Sequence, residues 1–193
     1  VLIHGDRNQA ASANKRKDFF MNSKENNYLT TVVCVAFLIA LDIILTRFLS
    51  IQTQFLRIGF GFIPVAVAGI AYGPVWGGIC GAVGDILGML IYPSGAYFPG
   101  FTLTAALTGV IFGLILYRKT SFVRVITASA AVCIILNLLL DTLWLDIMYG
   151  SGFIALLPAR AVKCFINIPI YSIFIEIIWC KGISKIPQLR RVS

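Results

Sequence analysis

Histidine occurs once in this chain, at His4, and charged residues fill only 12% of its 193 positions. Those two scarcities exclude a good deal. Without histidine in the apolar body there is no imidazole base and no zinc-type ligand set. The five cysteines, Cys34, Cys80, Cys133, Cys164 and Cys180, fall singly in apolar runs, where thiols act as small buried hydrophobes rather than as a disulfide framework. No glycine-rich loop ends in Gly-Lys-Ser or Gly-Lys-Thr, so ATP hydrolysis by that route is not expected here. No nucleophile–base pair stands out. The expectation is a protein that is no enzyme and holds no metal or cofactor. The net charge of +8 forms no continuous face with interleaved aromatics, which argues against nucleic acid as a partner.

What remains is hydrophobic: 59% of the chain. A membrane span needs about 20 mostly apolar residues, and roughly six such stretches recur, at 29–50, 58–73, 74–92, 101–117, 122–145 and 154–179. The second is short and carries Gly59, Gly61 and Pro64, which predicts an irregular or kinked segment. The expected fold is an all-α integral membrane protein, a compact bundle of six transmembrane helices. Residues 1–20, VLIHGDRNQAASANKRKDFF, read as a tag or linker remnant, with residues 21–193 as the single six-helix domain and no cleavable signal pattern behind Met21.

Lysine and arginine placement orients the bundle. With the amino terminus inside, Lys24, Arg118, Lys119, Arg124, Lys181, Lys185, Arg190 and Arg191 lie on the inner side, so both termini are expected to be cytoplasmic. Arg47, Arg57, Arg160 and Lys163 break that bias by falling on the outer side. They either snorkel to head groups or line the mouth of an anion site. The loop YPSGAYFPGF that follows the third span has no cation; its Tyr97 and Phe98 belong either to an interfacial belt or to a lid over a ring system.

Polar residues inside the spans are the strongest functional signal, because a carboxylate there must be neutralised, paired or used. Asp85 stands in GPVWGGICGAVGDILGML with nothing basic near it in sequence. Asn137, Asp141 and Trp144 are spaced by four and three and share one helical face. An amide, a carboxylate and an indole together suit a flat heteroaromatic ligand. Asp42 is read as a cap or a partner of Arg47, Asn167 as a helix-joining amide, and Glu176 as a group near the inner end. The spacing of Ala36 and Ala40, of Gly73, Gly77, Gly81, Gly84 and Gly88, and of Ala105, Gly109 and Gly113 permits close helix packing, with Ala36 and Ala40 as a docking surface.

The stretch from Arg57 to Ile91, RIGFGFIPVAVAGIAYGPVWGGICGAVGDILGMLI, followed by GAYFPGFTLTAALTGVIFGLILY, resembles the folate-specific, substrate-binding membrane subunit of energy-coupling factor type vitamin transporters. The likeness covers roughly residues 29–180. It implies a multi-pass protein of the bacterial cytoplasmic membrane that captures folate or reduced folates from outside. It also implies partners: a membrane coupling protein, met through Ala36 and Ala40, and two cytoplasmic ATPases that use the ATP. Under that resemblance Arg57, Arg160 and Lys163 are candidates for the glutamate-tail carboxylates. Asp85, Asn137 or Asp141 would read the pterin edge, with Tyr97, Phe98 and Trp144 packing on rings; Asp85 could instead fix the loop after span three. Rival readings are a riboflavin or thiamine subunit of the same architecture, an autonomous secondary transporter, and a membrane scaffold. The transporter reading is weakened by the absence of an evident inverted repeat.

Overall fold

The computed structural model describes residues 28–49, 51–52, 57–93, 96–117, 121–150 and 153–181; the expectation for residues 1–20 lies outside them. The chain divides into two units, 1–34 and 35–193. Of the first, only residues 28–34 are described, and they are helical. Every packing relation below belongs to the second.

Among the described residues, seven α-helical stretches make six rods. Helix α1 runs Tyr28–Arg47. A two-stranded antiparallel hairpin follows, β1 Ile51–Gln52 and β2 Arg57–Ile58, with Gln52 opposite Arg57. Then come α2 Phe62–Tyr72, α3 Pro74–Ile91 and α4 Pro99–Leu116. Helix α5, Phe122–Ala131, passes into a π-helical segment, Val132–Leu140, and on into α6, Asp141–Tyr149. These three form one 28-residue rod. Helix α7 spans Phe153–Lys181. Five of the rods are long and apolar enough to cross a membrane.

Helix α2 departs from the expected irregular segment. It is a regular 11-residue helix. Gly59 and Gly61 precede it rather than interrupt it, and Pro64 sits in its first turn, where the missing N–H has no intrahelical acceptor to lose. At about 1.5 Å per residue it reaches only about 16 Å, half of a bilayer core. Its far end joins α3 through Gly73 alone, at φ +98°, a left-handed turn that favours glycine.

The apolar core gathers toward the end where α4 finishes and α5 begins: Ile70, Phe112, Leu116, Val125, Ala128 and Ile175 are buried there. Helices α3 and α4 meet backbone to backbone. A Cβ on Gly77 would lie 2.5 Å from the Gly109 carbonyl oxygen, and one on Gly81 would overlap the Ala105 carbonyl. Only glycine permits that approach. With α2 short and the apolar core at one end, space is left at the other.

Candidate functional site: a cavity at the outer end of the bundle

A cavity of about 310 Å³ opens at that other end, within the usual size range of small-molecule sites. The odd-numbered rods supply residues late in their course: Asp42 and Thr46 on α1, Gly81, Asp85 and Met89 on α3, and Asn137, Asp141, Leu145 and Met148 on the fifth. The even-numbered rods supply residues from their beginnings or entries: Gly61, Phe62 and Val65, then Phe98, Phe101, Thr104 and Thr108, then Arg160 and Lys163. An up-and-down chain can do this only at one end. By the lysine and arginine distribution, that end is the outer one.

Of the nine binding residues expected from sequence, seven line this cavity: Asp85, Tyr97, Phe98, Asn137, Asp141, Arg160 and Lys163. Trp144 is not among the lining residues. Its indole packs against Phe98, with ring centroids 5.6 Å apart, and donates its Nε1–H to Thr104 Oγ1 at 3.1 Å. The hydroxyl proton of Thr104 is directed to the Gly100 carbonyl at 3.1 Å, so Thr104 can only accept from the indole. The cavity-facing stripe continues from Asp141 to Leu145 and Met148, four and seven residues on. A residue three further, Trp144, is turned about 60° aside on a 3.6-residue helix. Arg57 pairs with Gln52 through the backbone of the hairpin, and the expectation for its side chain lies outside the described part of the structure. Ala36 and Ala40 are exposed on α1, away from the cavity.

Asp85 is engaged on both oxygens. Oδ1 stands 3.8 Å from Arg47 Nη2, and Oδ2 accepts from Thr102 Oγ1 at 2.8 Å. The same guanidinium reaches the Asp85 carbonyl at 3.5 Å. Arg47 lies 38 residues away, so the neutralising cation was invisible to local reading. Its side chain is 1% exposed, which corrects the reading of this outer cation as a snorkelling or mouth-lining group.

Asp42 is the cavity residue that sequence reasoning undervalued. It is buried and lines the cavity, and its Oδ1 accepts from Thr46 at 2.9 Å. Two glycines make room for it: a Cβ on Gly61 would come within 2.8 Å of Oδ1, and one on Gly84 would overlap Oδ2. The available signal was the cost of any carboxylate within a span. Across the cavity Arg160 is buried on α7 and donates from Nη1 to the Asn137 carbonyl at 3.1 Å. Tyr171 stacks on Phe62 with centroids 3.8 Å apart and supplies a further aromatic wall. Asn167 is buried but does not line the cavity.

The cavity therefore joins three carboxylates, an amide, aromatic rings and two cations. That combination can hold a flat, donor-bearing ring system at one place and an anionic group at another. Among the described residues no cluster of three metal-ligating side chains occurs.

The family profile described as "ECF transporter, substrate-specific component" matches residues 30–179. The chain is 45% identical over 166 residues to the folate transporter FolT of Clostridium novyi, covering 86% of this chain and 96% of that protein. To the folate transporter FolT of Leuconostoc mesenteroides it is 35% identical, covering 72% and 78%. A solved structure described as the crystal structure of FolT bound with folic acid superimposes with a TM-score of 0.73 at 40% identity, over 76% of this chain and 90% of the other. The chain belongs to the substrate-specific components of ECF transporters, membrane proteins that bind a substrate for import and are not enzymes.

Proposed function

We infer that this chain captures folate at the outer face of the bacterial membrane, as the substrate-specific subunit of an ATP-driven importer. One observation carries the reading: a single outer cavity holds both the donor-reading groups and the paired cations that folate's two ends require. The pterin presents adjacent ring N–H and amino donors, which a carboxylate accepts and an amide can match. Asn137 and Asp141 are suited to that edge, with Asp42 as an additional acceptor. Tyr97 and Phe98 offer ring faces near the entrance, and Trp144 backs Phe98. Arg160 and Lys163, one turn apart on α7, suit the two carboxylates of the glutamate tail. The similarity to folate transporters supports the same ligand.

Helix α1 supplies the second half of the proposal. Its exposed Ala36 and Ala40 form a small-residue face against which a helix of a membrane coupling subunit can pack closely. Two cytoplasmic ATPases attached to that subunit would hydrolyse the ATP.

Equilibrium titration of the detergent-purified chain with folate, riboflavin and thiamine in parallel tests the ligand. Tight one-to-one binding of folate alone is expected. Binding of riboflavin or thiamine instead would keep the family and replace the substrate, and folded protein that binds none of the three would remove the vitamin-capture reading.

A further inference from the structure

Four side chains, from α1, α3, α4 and the segment that enters α4, form one polar chain beside the cavity. Arg47 ends α1, Asp85 lies on α3, Thr102 lies in the first turns of α4, and Tyr97 lies in the segment that enters α4. The separations are 3.8 Å from Arg47 to Asp85, 2.8 Å from Thr102 to Asp85 and 3.2 Å from Tyr97 to Thr102. The proton order follows from valence. A threonine hydroxyl has one hydrogen, and that of Thr102 goes to the Asp85 carboxylate, so the Tyr97 phenol must donate to Thr102. Every donor thus points toward Asp85, with Arg47 on its other oxygen.

Gly88 is built around this arrangement. A Cβ there would come within 2.8 Å of the Arg47 Nε, so the guanidinium lies flat on the α3 backbone and is held in place. Tyr97 is exposed at the entrance, whereas the Arg47 side chain is sealed inside. The polar chain therefore runs from the cavity's entrance to the helix that bears Ala36 and Ala40.

We propose that Arg47 and Thr102 are positioning residues that, through Asp85, tie the entrance segment at Tyr97 to the outer end of α1, so that ordering either one orders the other. The inference rests on the folate-capture reading for its purpose, since a loaded and closed cavity is then reported to the docking helix. The link itself joins side chains of this chain alone. Coupling of this kind is reciprocal, and reciprocity is what distinguishes it from two local supports.

The test is hydrogen–deuterium exchange on the full chain in detergent, without ligand, comparing wild type with R47Q, T102V and the double variant. T102V is expected to speed exchange at residues 44–49, the end of α1 and the two residues beyond it, and R47Q at residues 96–101. Each should act by about fivefold or more, the lower end of ordinary coupling between sites. The double variant should exceed the larger single effect by little, because both cut one connection. If each variant loosens only its own element, or the effects multiply, the proposal is overturned. Thr102 is only partly buried, so T102V keeps the test alive should R47Q fail to fold. Because no ligand is present, failure here is distinct from failure of the folate reading, which the vitamin titration decides.

Discussion

The two ends of α3 use the same residue for opposite purposes. Toward its start, Gly77 and Gly81 let the α3 backbone lie against the carbonyls of Gly109 and Ala105. Toward its finish, Gly84 and Gly88 leave room for the Asp42 carboxylate and the Arg47 guanidinium. The first pair brings two helices together without side chains between them and makes a rigid base. The second pair keeps a gap between α3 and α1 that charged groups fill, at the level of the cavity. Backbone cannot yield to an added methyl group, while the end of a side chain can swing. The inner half should therefore be sensitive in stability and the outer half in binding.

Three substitutions would sharpen or break that contrast. G109A carries the largest expected effect. Its methyl would overlap the Gly77 carbonyl, and such overpacking should cost about 3 kcal/mol, the upper part of the usual range. Thermal melting in detergent would show it, and binding should fall only as folded protein is lost. A G109A protein with wild-type melting would refute the rigid seam. G84A comes next: with Asp42 pushed aside, ligand affinity should drop about tenfold, equivalent to about 1.4 kcal/mol, while melting changes little. Isothermal titration beside a melting curve separates the two, and equal loss in both would erase the distinction between the ends of α3. A40L should have the least effect on binding, since Ala40 is exposed and lies outside the cavity. Uptake by cells that carry the partner subunits should nevertheless fall. Normal uptake by A40L would exclude that face as the docking surface.

Much of this was legible in the chain because membrane helices are written in long runs. Composition and run length were enough for the bundle, and the lysine and arginine bias is the ground on which the cavity is assigned to the outer end. Three features were not legible, each for a physical reason. Helix α2 looked irregular because Pro64 reads as a helix breaker until its place in the first turn is known. Trp144 looked cavity-facing because a three-residue step from Asp141 reads as the same face, although it turns the side chain about 60° aside. Its indole packs on Phe98, and Trp144 is not among the residues that line the cavity. The partner of Asp85 was hidden because Arg47 is remote in sequence, and the small-residue spacing of α3 could not by itself reveal that Gly84 and Gly88 receive side chains rather than a helix. Asp42 was within reach: it stands in a span with Thr46 one turn on, and the burial cost of a carboxylate applies to it as fully as to Asp85.

The central claim is that one cavity reads folate's two ends with different groups, and a ligand–variant cycle addresses it most directly. Folate and pteroate, which lacks the glutamate tail, would be titrated into the wild type and into K163Q. Lys163 lines the cavity, and its loss should weaken folate about tenfold, or about 1.4 kcal/mol, while leaving pteroate affinity unchanged. Equal weakening of both ligands, or of neither, would contradict the assignment of the α7 cations to the tail and with it the division of the cavity proposed here.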